Sequence, residues 1–146
     1  MSKLIAAIAT LVLAGCASMG DSARQQPEGE DRVVYHLNTG IEQASNGIRN
    51  IRNHLEVNPK AKIVVVAHAQ GVDYLMKGMK DKNGNAYQDA VENLKNQGVR
   101  FDVCEITLRN RKLKREQFIE DATFVPSGVA EITRLQQREG YAYLRP

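Results

Sequence analysis

The spacing of apolar residues divides the chain into segments of different period. Arg32-Val-Val-Tyr-His-Leu37 is a β-branched and aromatic run closed by Asn38-Thr39-Gly40, which predicts a short strand and a turn. Ala44, Ile48, Ile51 and Leu55 then follow Ile41 at steps of three and four, the stripe of an amphipathic helix, until Asn58-Pro59 breaks it. Lys62-Ile-Val-Val-Val-Ala-His68 is apolar without alternation, as expected of a central strand covered on both faces. Val72, Leu75, Met76 and Met79 form the next apolar stripe. Lys82-Asn-Gly-Asn85 interrupts it as a turn, and Tyr87, Ala90, Val91 and Leu94 resume helical spacing up to Gly98, a helix C-cap.

Val99-Arg-Phe-Asp-Val-Cys104 reads as a third strand with its apolar set at odd positions. A polar, basic connection leads to a short helix around Glu116–Asp121, and Thr123–Val125 is a short fourth strand. Ser127 is placed to cap a helix over Val129–Arg138, and Gly140–Leu144 closes the chain as a fifth strand. This alternation predicts a three-layer α/β/α sandwich around a mostly parallel five-stranded sheet, in a single domain over residues 32–146.

The amino terminus follows another logic. Lys3 precedes the apolar run Leu4–Leu13, about half the length of a membrane-spanning helix but sufficient for the core of a secretion signal. The run ends in Leu13-Ala14-Gly15-Cys16, which resembles a bacterial lipobox. The resemblance implies a signal peptide over 1–15, lipidation of Cys16, and a membrane anchor that does not span the bilayer. With Ala17 rather than Asp after the cysteine, it implies an outer-membrane lipoprotein of a Gram-negative cell envelope, facing the periplasm. Residues 16–31 are rich in Ser, Gln, Gly, Pro and charge, a flexible tether.

Composition narrows the function. Twenty basic residues stand against 17 acidic ones, and eight Phe and Tyr with no Trp offer few stacking platforms, so no nucleic-acid partner is expected. Two cysteines exclude a disulfide-stapled fold, and lipidation of Cys16 would leave Cys104 without an intramolecular partner.

In open parallel sheets ligands bind beyond the carboxyl ends of the strands. Those ends carry His36 and Asn38, His68 and Gln70, Cys104 and Thr107, and Ser127. Two readings of Cys104 stand. Backbone N–H groups and the basic run Arg109–Arg115 could favour its thiolate, or it could be a small buried apolar residue. The two histidines with a thiolate could ligate a metal, but no close-spaced pair such as His-x-x-x-His or Cys-x-x-Cys is present. A hydrogen-bonding role at the rim is expected instead, with no metal and no cofactor. The basic run is either a solvated loop or a means of drawing anions to the rim. No Gly-rich phosphate loop, Gly-x-Ser-x-Gly elbow or rim carboxylate pair supports hydrolase chemistry.

Gly98-Val-x-Phe-x-Val-Cys104 with its basic turn, and Val125-Pro-Ser-Gly-Val-Ala-Glu131-Ile-Thr-Arg-Leu-Gln136, resemble the DsrE/DsrF-like family of small α/β proteins, which includes sulfur-relay subunits. Ala67-His-Ala-Gln-Gly-Val72 and Glu139-Gly-Tyr-Ala-Tyr143 look like a mostly uncharacterised branch of it. The resemblance implies a flavodoxin-like fold, a homo-oligomer (trimer or hexamer), and a cysteine at the end of the third strand that accepts sulfane sulfur as a persulfide. Cys104 matches that position. His68 and Asn38 would then orient the substrate, Arg109 and Arg111 would draw anionic sulfur species, and a sulfur-donor or acceptor protein would be the partner. The alternative is a non-catalytic binding module for a small anionic ligand or a partner protein at the same rim. The chain departs from the branch at Ile106, where Asn is expected.

Overall fold

A computed structural model describes residues 30–146 of the protein. The expected signal peptide, the lipidated Cys16 and the tether as far as residue 29 lie outside the described residues. Five strands, β1 (Arg32–Leu37), β2 (Lys62–Ala67), β3 (Arg100–Cys104), β4 (Ala122–Val125) and β5 (Ala142–Leu144), form one sheet in the order β4-β3-β2-β1-β5. The sheet, expected to be mostly parallel, is parallel in all four pairings. Helices α1 (Gly40–Val57), α2 (Tyr87–Asn96), α3 (Glu105–Arg111) and α4 (Gly128–Glu139) make the connections.

Strand order decides which face each helix covers. The steps from β1 through β4 all move across the sheet in one direction, so right-handed crossovers put α1, α2 and α3 on the same face. The last crossover reverses direction to bring β5 beside β1, and α4 therefore covers the opposite face alone. The buried residues divide accordingly. A large cluster joins Val33, Tyr35, Leu37, Ile63, Val65, Phe101 and Val103 to Ile51, Leu55, Val91 and Leu94 of the helices. A small one joins Val34, Val64 and Val66 to Ile132 and Leu135 of α4.

The thin face is completed by charge. Asp102, fully buried, receives both Arg100 Nε and Nη2, at 2.9–3.2 Å, and Arg100 Nη2 also reaches Glu131 Oε1 at 2.7 Å. Arg134 continues the network through Glu131 to Glu139. Burial pushes the Asp102 carboxyl above its usual value, against the opposing pull of Arg100.

Three elements differ from expectation. The stripe Val72–Met79 is only partly helical: Ala69–Leu75 is a 3-10 segment, after which Met76 pairs with Phe118 in an antiparallel bridge. Gly71 explains the tight winding, because it packs against the end of β1 where a Cβ would lie 2.1 Å from the Leu37 carbonyl oxygen. The helix expected around Glu116–Asp121 is a single 3-10 turn, Arg115–Gln117, followed by buried Phe118 and Ile119. The polar stretch after Cys104, read as a connection, is the helix α3.

Candidate functional site

Side chains alternate across a strand, so the residues of β1, β2 and β3 that face α4 have even numbers. At the carboxyl ends this places His36, His68 and Cys104 on the thin side of the sheet. Ala67 pairs with Val103, so the next positions, His68 and Cys104, emerge side by side. Tyr143 of β5 joins them, since Val34 stands opposite both Val64 and Tyr143. Gly128 opens α4 directly over this row. A Cβ there would meet Cys104 Cβ at 3.2 Å and His68 Cβ at 3.3 Å.

Cys104 lies at the base of a cleft of about 490 Å³ lined also by His68, Gln70, Thr107, Arg111 and Ser127, with Ile106 and Val129 exposed on its rim. The residue is 5% exposed. Burial pushes its thiol up, but hydrogen bonds from the Gly128 N–H, the Thr107 N–H and hydroxyl, and the Ile106 N–H outweigh burial and hold it below its ordinary value. Thr107 is suited to this role. Its oxygen already accepts the Ala69 N–H at 2.9 Å, which leaves its own proton to donate to sulfur. Ser127 accepts from Ala130 N–H at 3.4 Å and starts α4 in the register that aims Gly128 at the cysteine.

The histidines are joined to each other. His36 Nε2 and His68 Nε2 are 2.6 Å apart, and His36 Nδ1 lies 2.6 Å from the Tyr143 hydroxyl. The ring centroids are 4.7 Å apart, slightly less than the N···N separation plus two ring radii, so the nearly parallel rings meet edge to edge and share one proton. His36 is pushed down to about 4, chiefly by burial and then by facing His68 and Arg145, and burial lowers His68 also. Both are neutral imidazoles at pH 7.

The other expected site residues divide. Arg111 lines the cleft, but its Nη1 is held by the Ala69 carbonyl at 2.9 Å and Asp73 Oδ1 at 2.7 Å, so it clamps the 3-10 segment to α3. Arg109 is exposed and does not line the cleft. Asn38 stands one strand away, its side-chain oxygen accepting from Arg145 at 3.1 Å. Its backbone N–H and that of Thr39 are both taken by Gln43 Oε1 at 2.8 Å, a buried side chain that ties α1 to the end of β1. Among the described residues no group of three or more His, Cys, Asp and Glu side chains is placed to hold a metal. Gly128 and Tyr143 are participants the sequence did not single out. Their signals were their places in the family-like stretches Val125–Gln136 and Glu139–Tyr143, with Gly128 also following a capping serine.

The model of the DsrE/DsrF-like family matches residues 30–146. Among solved structures, the chain is similar to a protein of unknown function from Methanobacterium thermoautotrophicum, MTH1491. The TM-score is 0.71 at 36% identity, over 80% of this chain and 100% of that one. It also resembles in fold the ychN protein of E. coli, with a TM-score of 0.67 at 17% identity, over 80% of this chain and 99% of that one. No curated protein matches the chain.

Proposed function

The chain belongs to the DsrE/DsrF-like family, and on that premise we propose that Cys104 is a sulfur-carrying thiol. The observation that carries the reading is the convergence of the Gly128, Thr107 and Ile106 donors on a cysteine at the base of a cleft. A thiolate attacks sulfane sulfur as it attacks a disulfide. With a persulfide donor R–S–SH, the Cys104 thiolate attacks the outer sulfur, a new S–S bond forms, the donor's S–S bond breaks, and R–S⁻ leaves to be protonated. The products are Cys104–S–SH and R–SH. The proton lost by Cys104 equals the one gained by R–S⁻, and one sulfur atom moves without net oxidation. The same steps in reverse pass the sulfur to an acceptor thiol.

The amino-terminal run and Leu13-Ala-Gly-Cys16 support a lipid anchor for this carrier in a bacterial envelope. Labelling by a fatty acid in wild type, lost in Cys16→Ser, is the outcome that supports it.

The sulfur-carrier reading is tested by exposing the full-length chain to glutathione persulfide and reading the Cys104 peptide by mass. One added sulfur atom is expected in wild type and none in Cys104→Ser. Stoichiometric sulfane sulfur on the Cys104→Ser protein would sink the reading. The burial of Cys104 and the apolar rim of Ile106 and Val129 favour a second reading, a binding module whose cysteine is packed. It is distinguished by a thiol that reacts only after denaturation.

A further inference from the structure

Three side chains on the thin face form a continuous hydrogen-bonded path that ends in the cleft holding Cys104. Tyr143 Oη touches His36 Nδ1, His36 Nε2 touches His68 Nε2, and His68 shares the cleft with Cys104. The path runs from β5, where Tyr143 is 42% exposed, across β1 to His68 at the end of β2, beside Cys104 on β3. Among the described residues, His68 Nδ1 has no protein partner. We propose that Tyr143, His36 and His68 are a proton relay, which takes the proton of the Cys104 thiol to the protein surface and returns one to the leaving thiolate. The proposal rests on the sulfur-carrier reading of Cys104.

The relay follows from the hydrogen-bonding capacity of neutral imidazole. Each ring has one N–H and one bare nitrogen, so the chain has two self-consistent arrangements. In one, His68 Nε2–H donates to His36 Nε2, His36 Nδ1–H donates to Tyr143 Oη, and His68 Nδ1 is bare. In the other all the protons have moved one place: Tyr143 donates to His36 Nδ1, His36 Nε2–H donates to His68 Nε2, and His68 Nδ1 carries a proton. When the thiol gives its proton to bare His68 Nδ1, His68 passes one to His36 and His36 passes one to Tyr143, whose hydroxyl proton goes to water. The chain is now in the second arrangement, and His68 Nδ1–H faces the cleft as an acid. When R–S⁻ leaves, His68 protonates it, the shifts run backward, and Tyr143 takes a proton from water. Two passages restore the chain. No imidazolium accumulates, in keeping with two rings whose charged forms are disfavoured where they sit. A lone histidine against the buried sulfur would have to hold that charge itself.

His68 is the catalytic member. His36 and Tyr143 are positioning residues that act through it, which makes them the informative ones to change. The test uses the full-length chain, with adducts read at the Cys104 peptide after rapid quenching. One donor is glutathione persulfide, whose leaving thiol is basic and needs a proton. The other is Ellman's reagent, an aromatic disulfide whose leaving thiolate is acidic and needs none. Tyr143→Phe and His36→Gln are expected to lower the ratio of persulfide to disulfide rates by about tenfold or more. A positioned general acid contributes roughly 10²–10⁴-fold, and His68 itself is retained. Nitrogen NMR of the His68 ring supplies a reading independent of sulfur: Tyr143→Phe should shift its tautomer balance although the two residues do not touch. An unchanged rate ratio with an unchanged His68 spectrum overturns the relay. So does an equal slowing with both donors, which marks a structural role. A wild-type chain that takes up no sulfane sulfur at Cys104 is a different failure. It overturns the carrier reading, and this proposal with it.

Discussion

Gly71 gives the sharpest test of how the site is held together. Its Cα packs so closely against the carboxyl end of β1 that an added Cβ would lie 2.1 Å from the Leu37 oxygen, 2.4 Å from the Leu37 carbonyl carbon and 2.6 Å from the Asn38 nitrogen. All three atoms are backbone, so no rotamer change relieves the clash. The end of β1 and the 3-10 segment must move apart, and this threatens the bond from His68 N–H to the Leu37 carbonyl at 3.0 Å. Overpacking of this kind costs about 1–3 kcal/mol, and a lost hydrogen bond about 0.5–1.5 kcal/mol. Gly71→Ala should therefore destabilise by roughly 3 kcal/mol, a large part of the 5–15 kcal/mol typical of a domain. For a fold of this size that lowers the melting temperature by on the order of 10 °C. Gly78 is the control. It has φ +78° and open space around it, so Gly78→Ala meets only left-handed strain of about 1 kcal/mol. Thermal unfolding followed by circular dichroism reads both. A Gly71→Ala protein melting within about 3 °C of wild type, or above Gly78→Ala, would refute the reasoning.

Other expectations concern charge and protons. Thr107→Val removes a donor to sulfur and the acceptor of Ala69 N–H; the midpoint of Cys104 alkylation should move to higher pH, and urea unfolding should show a loss of about 1–2 kcal/mol. Arg100→Met strands the buried Asp102 carboxylate. Removing one partner of a buried pair costs about 3–5 kcal/mol, reduced here to about half because the Arg100 side chain is 41% exposed. Adding Asp102→Leu should recover most of the loss. Since the folded-state value of Asp102 is raised, the Arg100→Met penalty should also shrink as pH falls, which chemical denaturation at pH 7 and pH 4 measures. His36 works in the opposite sense. Its folded value of about 4 lies below the usual 6.5, so between those values the unfolded chain binds more protons. Stability is held above pH 6.5 and lost as pH falls toward 4. The urea midpoint of His36→Gln should vary less over that window than that of wild type.

Much of this fold was legible because its apolar runs are dense. Val33–Leu37, Ile63–Ala67 and the stripe Ala44–Leu55 allow few alternatives, and the strands and helix found there follow the reading within about two residues. α3 escaped because Glu-Ile-Thr-Leu-Arg-Asn-Arg buries only Thr107 and Leu108, too few positions to show a period. The 3-10 segment escaped for the opposite reason. Its apolar spacing suits a helix, but the winding is set by Gly71 against Leu37, a contact between residues far apart in sequence. The gathering of chemistry at strand ends could be read from topology, which placed His68 and Cys104 together. The His36–His68 contact could not, because it depends on the register of two strands and on ring orientation. The separation of Asn38 and Arg109 from the cleft likewise depends on where Arg145 and α3 come to rest.

The reversal of direction after β4 leaves the row of His36, His68 and Cys104 and the main core on opposite sides of one sheet. Drift in the packing of α1 and α2 reaches Cys104 through the strands or through the 3-10 segment and Thr107, whereas a single change at the start of α4 touches Cys104 and His68 at once. The cleft beside that row is lined by the 3-10 segment, by α3 and by the start of α4. Most of the apolar burial lies on one side of the sheet and the His36–His68–Cys104 row on the other, and the two are joined where Thr107 meets the 3-10 segment.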